Sequence, residues 1–273
     1  MSLRQSLESL RDAFPRTDET QPALFVGHGN PMNAIEDNAY SAAWERLGED
    51  LPTPKAILCV SAHWETRGTK LTAMERPETI HDFGAFPPEL FAVQYPAPGS
   101  PELARLTQAS LTKTSAELAH DWGLDHGTWS VLARMFPAAT IPVVQLSLDR
   151  TEAPEFHYAL GEELRELRQR GVLVIGSGNI VHNLRLARFD SGPAADWATE
   201  FDATVKAQIL SGDHAPLINY ERLGESARLA IPTNEHYLPL LYVLGLQNHG
   251  ESISFFSERI DLRSISMTSV RVG

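Results

Sequence analysis

Three histidines in this chain stand where an apolar run gives way to small residues: His28 in GHGNP, His63 in SAHW and His182 in GSGNIVHN. A fourth, His236 in NEHY, opens the last apolar stretch. Neutral imidazole binds iron, zinc, copper and nickel alike, so four such groups from separate segments can meet at one divalent ion. Ten histidines are present in all, and the plain alternative for any single one is a hydrogen-bonded packing residue. The repeated context shifts the balance. Rival chemistry finds little support: there is no HExxH helix for a zinc protease and no GxxxxGK[ST] phosphate loop. GSGN at Gly176 lacks the third glycine of a dinucleotide fingerprint, and Ser177 is not in GxSxG.

The elements that must position these histidines alternate in type. Residues 56–60, AILCV, form a run too short for a helix, set between Pro54 and Ser61, and predict a strand buried on both faces. Further strands are expected over 23–26, 69–74, 141–148 and 171–175, with one or two more over 252–270. Helical spacing predicts helices over 3–14 (Leu3, Leu7, Leu10 and Phe14 in phase), 40–51, 101–119, 154–170, 194–210 and 219–229, and one starting near Glu235 and His236. Between them lies a long segment, 76–99, rich in Pro, Gly and aromatic residues, of the kind that forms lids and binding loops. This order predicts an α/β fold, one domain over 1–273 with a central, largely parallel or mixed sheet flanked by helices. In such sheets ligands bind at the C-terminal ends of the strands, where the histidines fall.

Composition narrows the partners. A formal net charge of -12 and a pI near 5.3 repel polyanions, which argues against nucleic acid and anionic membranes. Cys59 is the single cysteine, so no intramolecular disulfide or multi-cysteine metal site can form, and a reducing cytoplasm fits best. The N-terminus lacks the continuous apolar stretch of a secretory signal, and residues 238–246 are too few to span a bilayer. A soluble, unprocessed cytoplasmic protein is the expectation.

In order along the chain, GHGNP, SAHW, HDFGAFPPELFAVQYPAPG, LDHGTW, GSGNIVHN and NEHYLPLLY strongly resemble the extradiol ring-opening dioxygenases of the LigB class, in the branch similar to DOPA dioxygenase. The resemblance runs from about Leu24 to Tyr242. It implies a non-haem Fe(II) site at His28, His63 and His236, with His182 as acid-base residue or additional ligand. It also implies that His126 hydrogen-bonds substrate or dioxygen. The wider class binds iron through two histidines and a carboxylate. Here Glu235 adjoins His236, and on a helix neighbouring side chains diverge by about 100°, so His236 is expected to face the metal and Glu235 to turn away. Zn(II) remains possible as the bound metal.

The implied substrates are a catechol and O2. Phe83, with Phe86, Phe91 and Tyr95, offers apolar walls for a flat ring, and Tyr237 stands beside a proposed ligand; the plain alternative is that these rings only pin a long loop. His81, Asp125 and Asn179 are candidates for fixing imidazole orientation. His120, His157, His214 and His249 read as surface or helix residues. Two other functions use the same histidines: a zinc hydrolase activating bound water, and a metal-binding protein without catalysis.

Overall fold

The computed structural model describes residues 3–190 and 192–273, without the side chains of residues 3–7, so Leu3 and Leu7 of the expected first helix lie outside the described side chains. Its strands are β1 (Ala23–Gly27), β2 (Ala56–Thr66), β3 (Lys70–Thr72), β4 (Glu117–Ala119), β5 (Val143–Asp149), β6 (Val172–Gly178), β7 (Ile253–Phe256), β8 (Ile260–Asp261), β9 (Ile265–Ser266) and β10 (Ser269–Val272). Eight of them form one sheet in the order β4-β3-β5-β2-β6-β1-β10-β7. The central four, β5-β2-β6-β1, are parallel, while β10 runs antiparallel to β1 and β3 antiparallel to β5. The expected mixed sheet is therefore present, with parallel strands at its centre.

β2 explains why a parallel strand reads as an unbroken apolar run. Its alternate residues Ala56, Leu58 and Val60 enter one hydrophobic core, and Ile57 and Cys59 enter the other. The first core is closed by helices Pro101–Ser110, Pro154–Glu163, Asp196–Ser211 and Leu238–Gly245. Helices Ala39–Asp50 and His126–Met135 close the second, with Trp44 and Trp129 fully buried. A strand covered on both faces has no polar side to show. None of the helices among the described residues is long and apolar enough to cross a membrane.

Several expected elements differ in extent. The helix predicted over 101–119 stops at Ser110, and Glu117–Ala119 becomes the edge strand β4 beside β3. The intervening TKTS is poor in helix formers, and the Thr112 and Lys113 amides donate to the Glu163 carboxylate instead of continuing the helix. The helix predicted over 154–170 breaks at Leu164, and that over 219–229 breaks at Gly224, whose φ of +96° suits only glycine. The last helix begins at Leu238, not at Glu235, with Pro239 in its first turn. β2 runs past Ser61 to Thr66, with a register shift against β5 between Val60 and Glu65, so His63 sits in the irregular end of the strand and not beyond it. Such irregularities re-aim side chains at sheet rims.

Candidate metal centre

Neighbouring strands β2, β6 and β1 end at the same edge and deliver the histidines together. His28 follows β1, His63 lies in the last turns of β2, and His182 follows β6. His126 is the first residue of its helix, N-capped by Asp125, whose carboxylate also accepts from Ser61 Oγ at 2.7 Å and Gln145 Nε2 at 2.6 Å. His236 lies in the turn before the final helix, where its carbonyl accepts from the Asn179 amide at 2.9 Å. That close approach requires Gly178: a Cβ there would stand 2.1 Å from the same carbonyl oxygen.

Ring centroids of His28, His63 and His236 are 5.0, 5.0 and 5.1 Å apart, an almost equilateral triangle. An imidazole nitrogen binds a divalent ion at about 2.1 Å, which sets the ring centroid roughly 3 Å from the ion and three such rings about 4.5 to 5.3 Å apart. The triangle fits. His126 has a ring nitrogen within 4.8 Å of nitrogens on His28 and His63, but its ring lies against His63 at 3.8 Å, too close for both to point at one ion. His182 stacks on His236 at 3.5 Å and 13°.

Hydrogen bonds fix the tautomers. Ser177 Oγ donates to the Gly127 carbonyl, so it accepts the Nδ1 proton of His28 at 2.9 Å. Asn179 Nδ2 donates to the Ser266 carbonyl, so its Oδ1 accepts from His236 Nδ1 at 3.2 Å. Asp82 Oδ2 lies 3.4 Å from Nδ1 of His63 and 3.0 Å from Nδ1 of His126, and Oδ1 accepts the His126 amide at 2.9 Å. His28 and His236 thus each have a hydrogen-bond acceptor at Nδ1 and a lone pair on Nε2, and the Asp82 carboxylate beside Nδ1 of His63 favours the same tautomer there, the arrangement that orients histidine ligands. Nε2 of His28 and Nε2 of His63 face each other at 3.1 Å. Two lone pairs at that distance repel unless a cation lies between them, and the spacing is that of two ligands at nearly a right angle around one ion.

Burial keeps these rings neutral. It holds His28 and His236 well below the ordinary imidazole range, reinforced by the neighbouring imidazoles. His63 is pushed down to about 3, first by burial and then by His126, and His182 to about 4 by the same two causes. For Asp82, burial works upward, but the hydrogen bonds and charge of His126 outweigh it and hold the carboxyl below its ordinary value. Neutral rings beside one carboxylate form a nitrogen-donor site for a divalent ion.

The other predicted residues divide. Phe83 stands at the edge of the site, 5.4 Å from His126 edge-to-face, and packs on Phe86, Phe91 and Trp129. Tyr237 is a correction: it is buried in the core against Tyr220 and Phe201, its hydroxyl donates to the Leu217 carbonyl, and it does not line the site. Asn179 orients His236 as expected. Asp125 has no hydrogen bond to an imidazole among the described residues and instead ties Ser61 and Gln145 to the start of the helix, while His81 bonds the Val93 carbonyl and anchors the loop. His157 lies in the helix Pro154–Glu163, within the expectation of a surface or helix residue, and is buried with a bond to Tyr242; His214, just before the helix Ala215–Ile218, is buried and bonds to Tyr158. Glu235 does not turn away: a carboxylate oxygen lies within 4.8 Å of ring nitrogens on both His182 and His236. Asp82 and Ser177 were not among the predicted orienting residues; the HDFG stretch beside His81 was the available signal for the first.

Residues 22–273 match the family described as the catalytic LigB subunit of aromatic ring-opening dioxygenase. The chain is 49% identical to the 4,5-DOPA dioxygenase extradiol of Escherichia coli K12 over 258 residues, covering 92% of this chain and 94% of that one. It is 38% identical to the protein of the same name from Beta vulgaris, over 84% and 87% of the two chains. Among solved structures, an uncharacterized Escherichia coli K12 protein is similar with a TM-score of 0.81 and 45% identity, over 93% of this chain and 100% of that one.

Proposed function

The chain belongs to the LigB family of aromatic ring-opening dioxygenases, and we propose that it opens the ring of a catechol such as DOPA beside its hydroxyl-bearing carbons, with O2 as second substrate and Fe(II) held by His28, His63 and His236. The observation that carries this reading is the pair of Nε2 lone pairs meeting at 3.1 Å within the triangle. Bound iron supplies the redox-active centre through which a catecholate passes electrons to dioxygen, chemistry that zinc lacks.

The residues around it do the proton work. His182, neutral and stacked on His236, accepts a proton from a catechol hydroxyl and returns it when the oxygen-oxygen bond breaks. His126, held by Asp82 through both its ring and its amide, stabilises negative charge developing on oxygen. Phe83 forms an apolar wall for the flat ring. The buried, unpaired Cys59 and the acidic surface suit a reducing cytoplasm.

Oxygen uptake tests the reading. Protein purified without oxygen and loaded with Fe(II) is given a panel of catechols while dissolved oxygen and visible absorbance are followed. Uptake with a yellow ring-opened product supports it. No uptake on any catechol at confirmed iron occupancy overturns it, and hydrolysis of esters or amides with zinc alone favours a zinc hydrolase.

A further inference from the structure

The helix Asp196–Ser211 turns Ala198, Phe201, Val205 and Ile209 into the first hydrophobic core, and on the same buried face it carries an acid, Asp202. An acid among apolar residues is costly unless its oxygens are matched, and Ala or Leu would pack there without that cost. Both oxygens are matched: Oδ2 lies 3.3 Å from Lys206 Nζ, one turn on, and Oδ1 accepts from Ser266 Oγ at 2.5 Å. Ser266 is itself fully buried in β9, with every polar group engaged. Its amide donates to the Val181 carbonyl at 2.9 Å, its carbonyl accepts from Asn179 Nδ2 at 2.7 Å, and its hydroxyl accepts the Thr268 amide at 3.1 Å. Val181 precedes His182, and Asn179 accepts the Nδ1 proton of His236. One buried serine thus bonds to the neighbour of each ring in the stacked pair.

The hairpin that presents Ser266 is held against its own backbone preference. In its turn, Leu262 and Arg263 sit at φ of +47° and +64°, a conformation unfavourable for residues with a Cβ. The segment after His182 holds them there: the Arg188 amide donates to the Leu262 carbonyl and the Ala195 amide to the Arg263 carbonyl, each at 2.9 Å. Such strain persists where surrounding contacts over-determine the backbone, and functional sites are where it gathers. We infer that Ser266, anchored by Asp202, is a positioning residue that sets His182 against His236. The consequence for turnover rests on the ring-opening reading above, whereas the consequence for geometry rests on the metal centre alone. Ser266 acts only through Val181 and Asn179, so its loss falls on kcat more than on KM.

The test uses Ser266→Ala, Asp202→Leu and Asp202→Asn, the last keeping an acceptor for Ser266 Oγ. With iron-loaded enzyme, kcat and KM are measured on DOPA; with cobalt-loaded protein, the visible absorption bands report the ligand field of the imidazoles independently of turnover. Ser266→Ala and Asp202→Leu are expected to lose about tenfold or more in kcat with KM within about twofold, and to shift the cobalt bands. Asp202→Asn is expected to keep the wild-type bands and most of kcat. Unmoved bands or an unchanged kcat in Ser266→Ala each overturn the inference. Asp202→Asn as damaging as Asp202→Leu overturns it too, because the acceptor for Ser266 would then not be what matters. If Asp202→Leu does not fold, Ser266→Ala and Asp202→Asn decide; a Ser266→Ala variant that does not fold shows a residue serving the fold and overturns the inference. No turnover by the wild type on any catechol overturns the ring-opening reading and leaves the cobalt bands to decide this one, whereas a wild type that takes up no cobalt overturns the metal centre and this inference with it.

Discussion

Nε2 of His28 and Nε2 of His63 face each other at 3.1 Å; the Nδ1 proton of His28 goes to Ser177, and the Asp82 carboxylate lies 3.4 Å from Nδ1 of His63, which favours a lone pair on each Nε2. The pair is complete only with a cation between its members. His63→Ala removes one side, and the variant is expected to lose metal retention, read by elemental analysis after dialysis. Full metal content in the variant would remove His63 from the ligand set.

Ser177→Ala leaves the fold of β6 in place but takes the acceptor from His28 Nδ1. Loss of such an orienting partner lowers metal affinity by about 10- to 100-fold. Asn179→Ala should act alike through His236. Competition with a chromophoric chelator measures both; unchanged affinity in both variants contradicts the assigned tautomers.

His126→Ala separates holding from catalysis. The variant is expected to retain metal and to lose turnover by about 10²- to 10⁴-fold. Asp82→Ala should do more, since its carboxylate serves both His63 and His126. Weaker metal binding together with reduced kcat is the expected pattern, and an Asp82 variant with wild-type metal affinity would limit its role to His126.

Gly178→Ala brings a Cβ to within 2.1 Å of the His236 carbonyl oxygen. Backbone, not a flexible side chain, must move, at a cost of about 1 to 3 kcal/mol. Denaturant unfolding of the metal-free protein is expected to show that loss, and metal affinity should fall with it. Wild-type stability would mean that the turn at His236 yields freely.

Acid sensitivity has a source away from the site. His157 is fully buried on Tyr242, and burial lowers its pKa from 6.5 to about 4 despite the attraction of Asp149. Below pH 6.5 the unfolded chain takes up a proton that the folded chain refuses, so stability falls as pH drops toward about 4 and this contribution levels off beneath it. Between pH 7.5 and 5 it amounts to about 2 kcal/mol. Urea unfolding should show His157→Gln losing that much less than the wild type over the same interval; equal losses contradict the assignment.

Much of this was legible in the chain because β2, β6 and β1 are covered on both faces and so read as apolar runs ending at histidines. Asp82 was harder to see. Its place depends on a loop held by distant bonds, Trp129 Nε1 to the Ile80 carbonyl and Tyr95 Oη to the Phe136 carbonyl, which no local pattern records. Ser177 was missed for a related reason, since its acceptor role depends on its donation to Gly127 across the sheet edge. Tyr237 misled by adjacency: in a turn, neighbouring side chains leave on different sides, and this one points into the core. His157 was legible as a helix residue, but its burial was not, because that depends on Tyr242 of a helix distant in sequence packing over it.

An iron titration tests the central claim most directly. Metal-free protein receives increasing Fe(II) without oxygen, and the initial rate of catechol-dependent oxygen uptake is read at each addition. The rate should rise linearly and break at about one iron per chain, with zinc at equal occupancy giving none. A rate independent of iron occupancy, or the same rate with zinc, would contradict a single redox-active ion held by His28, His63 and His236.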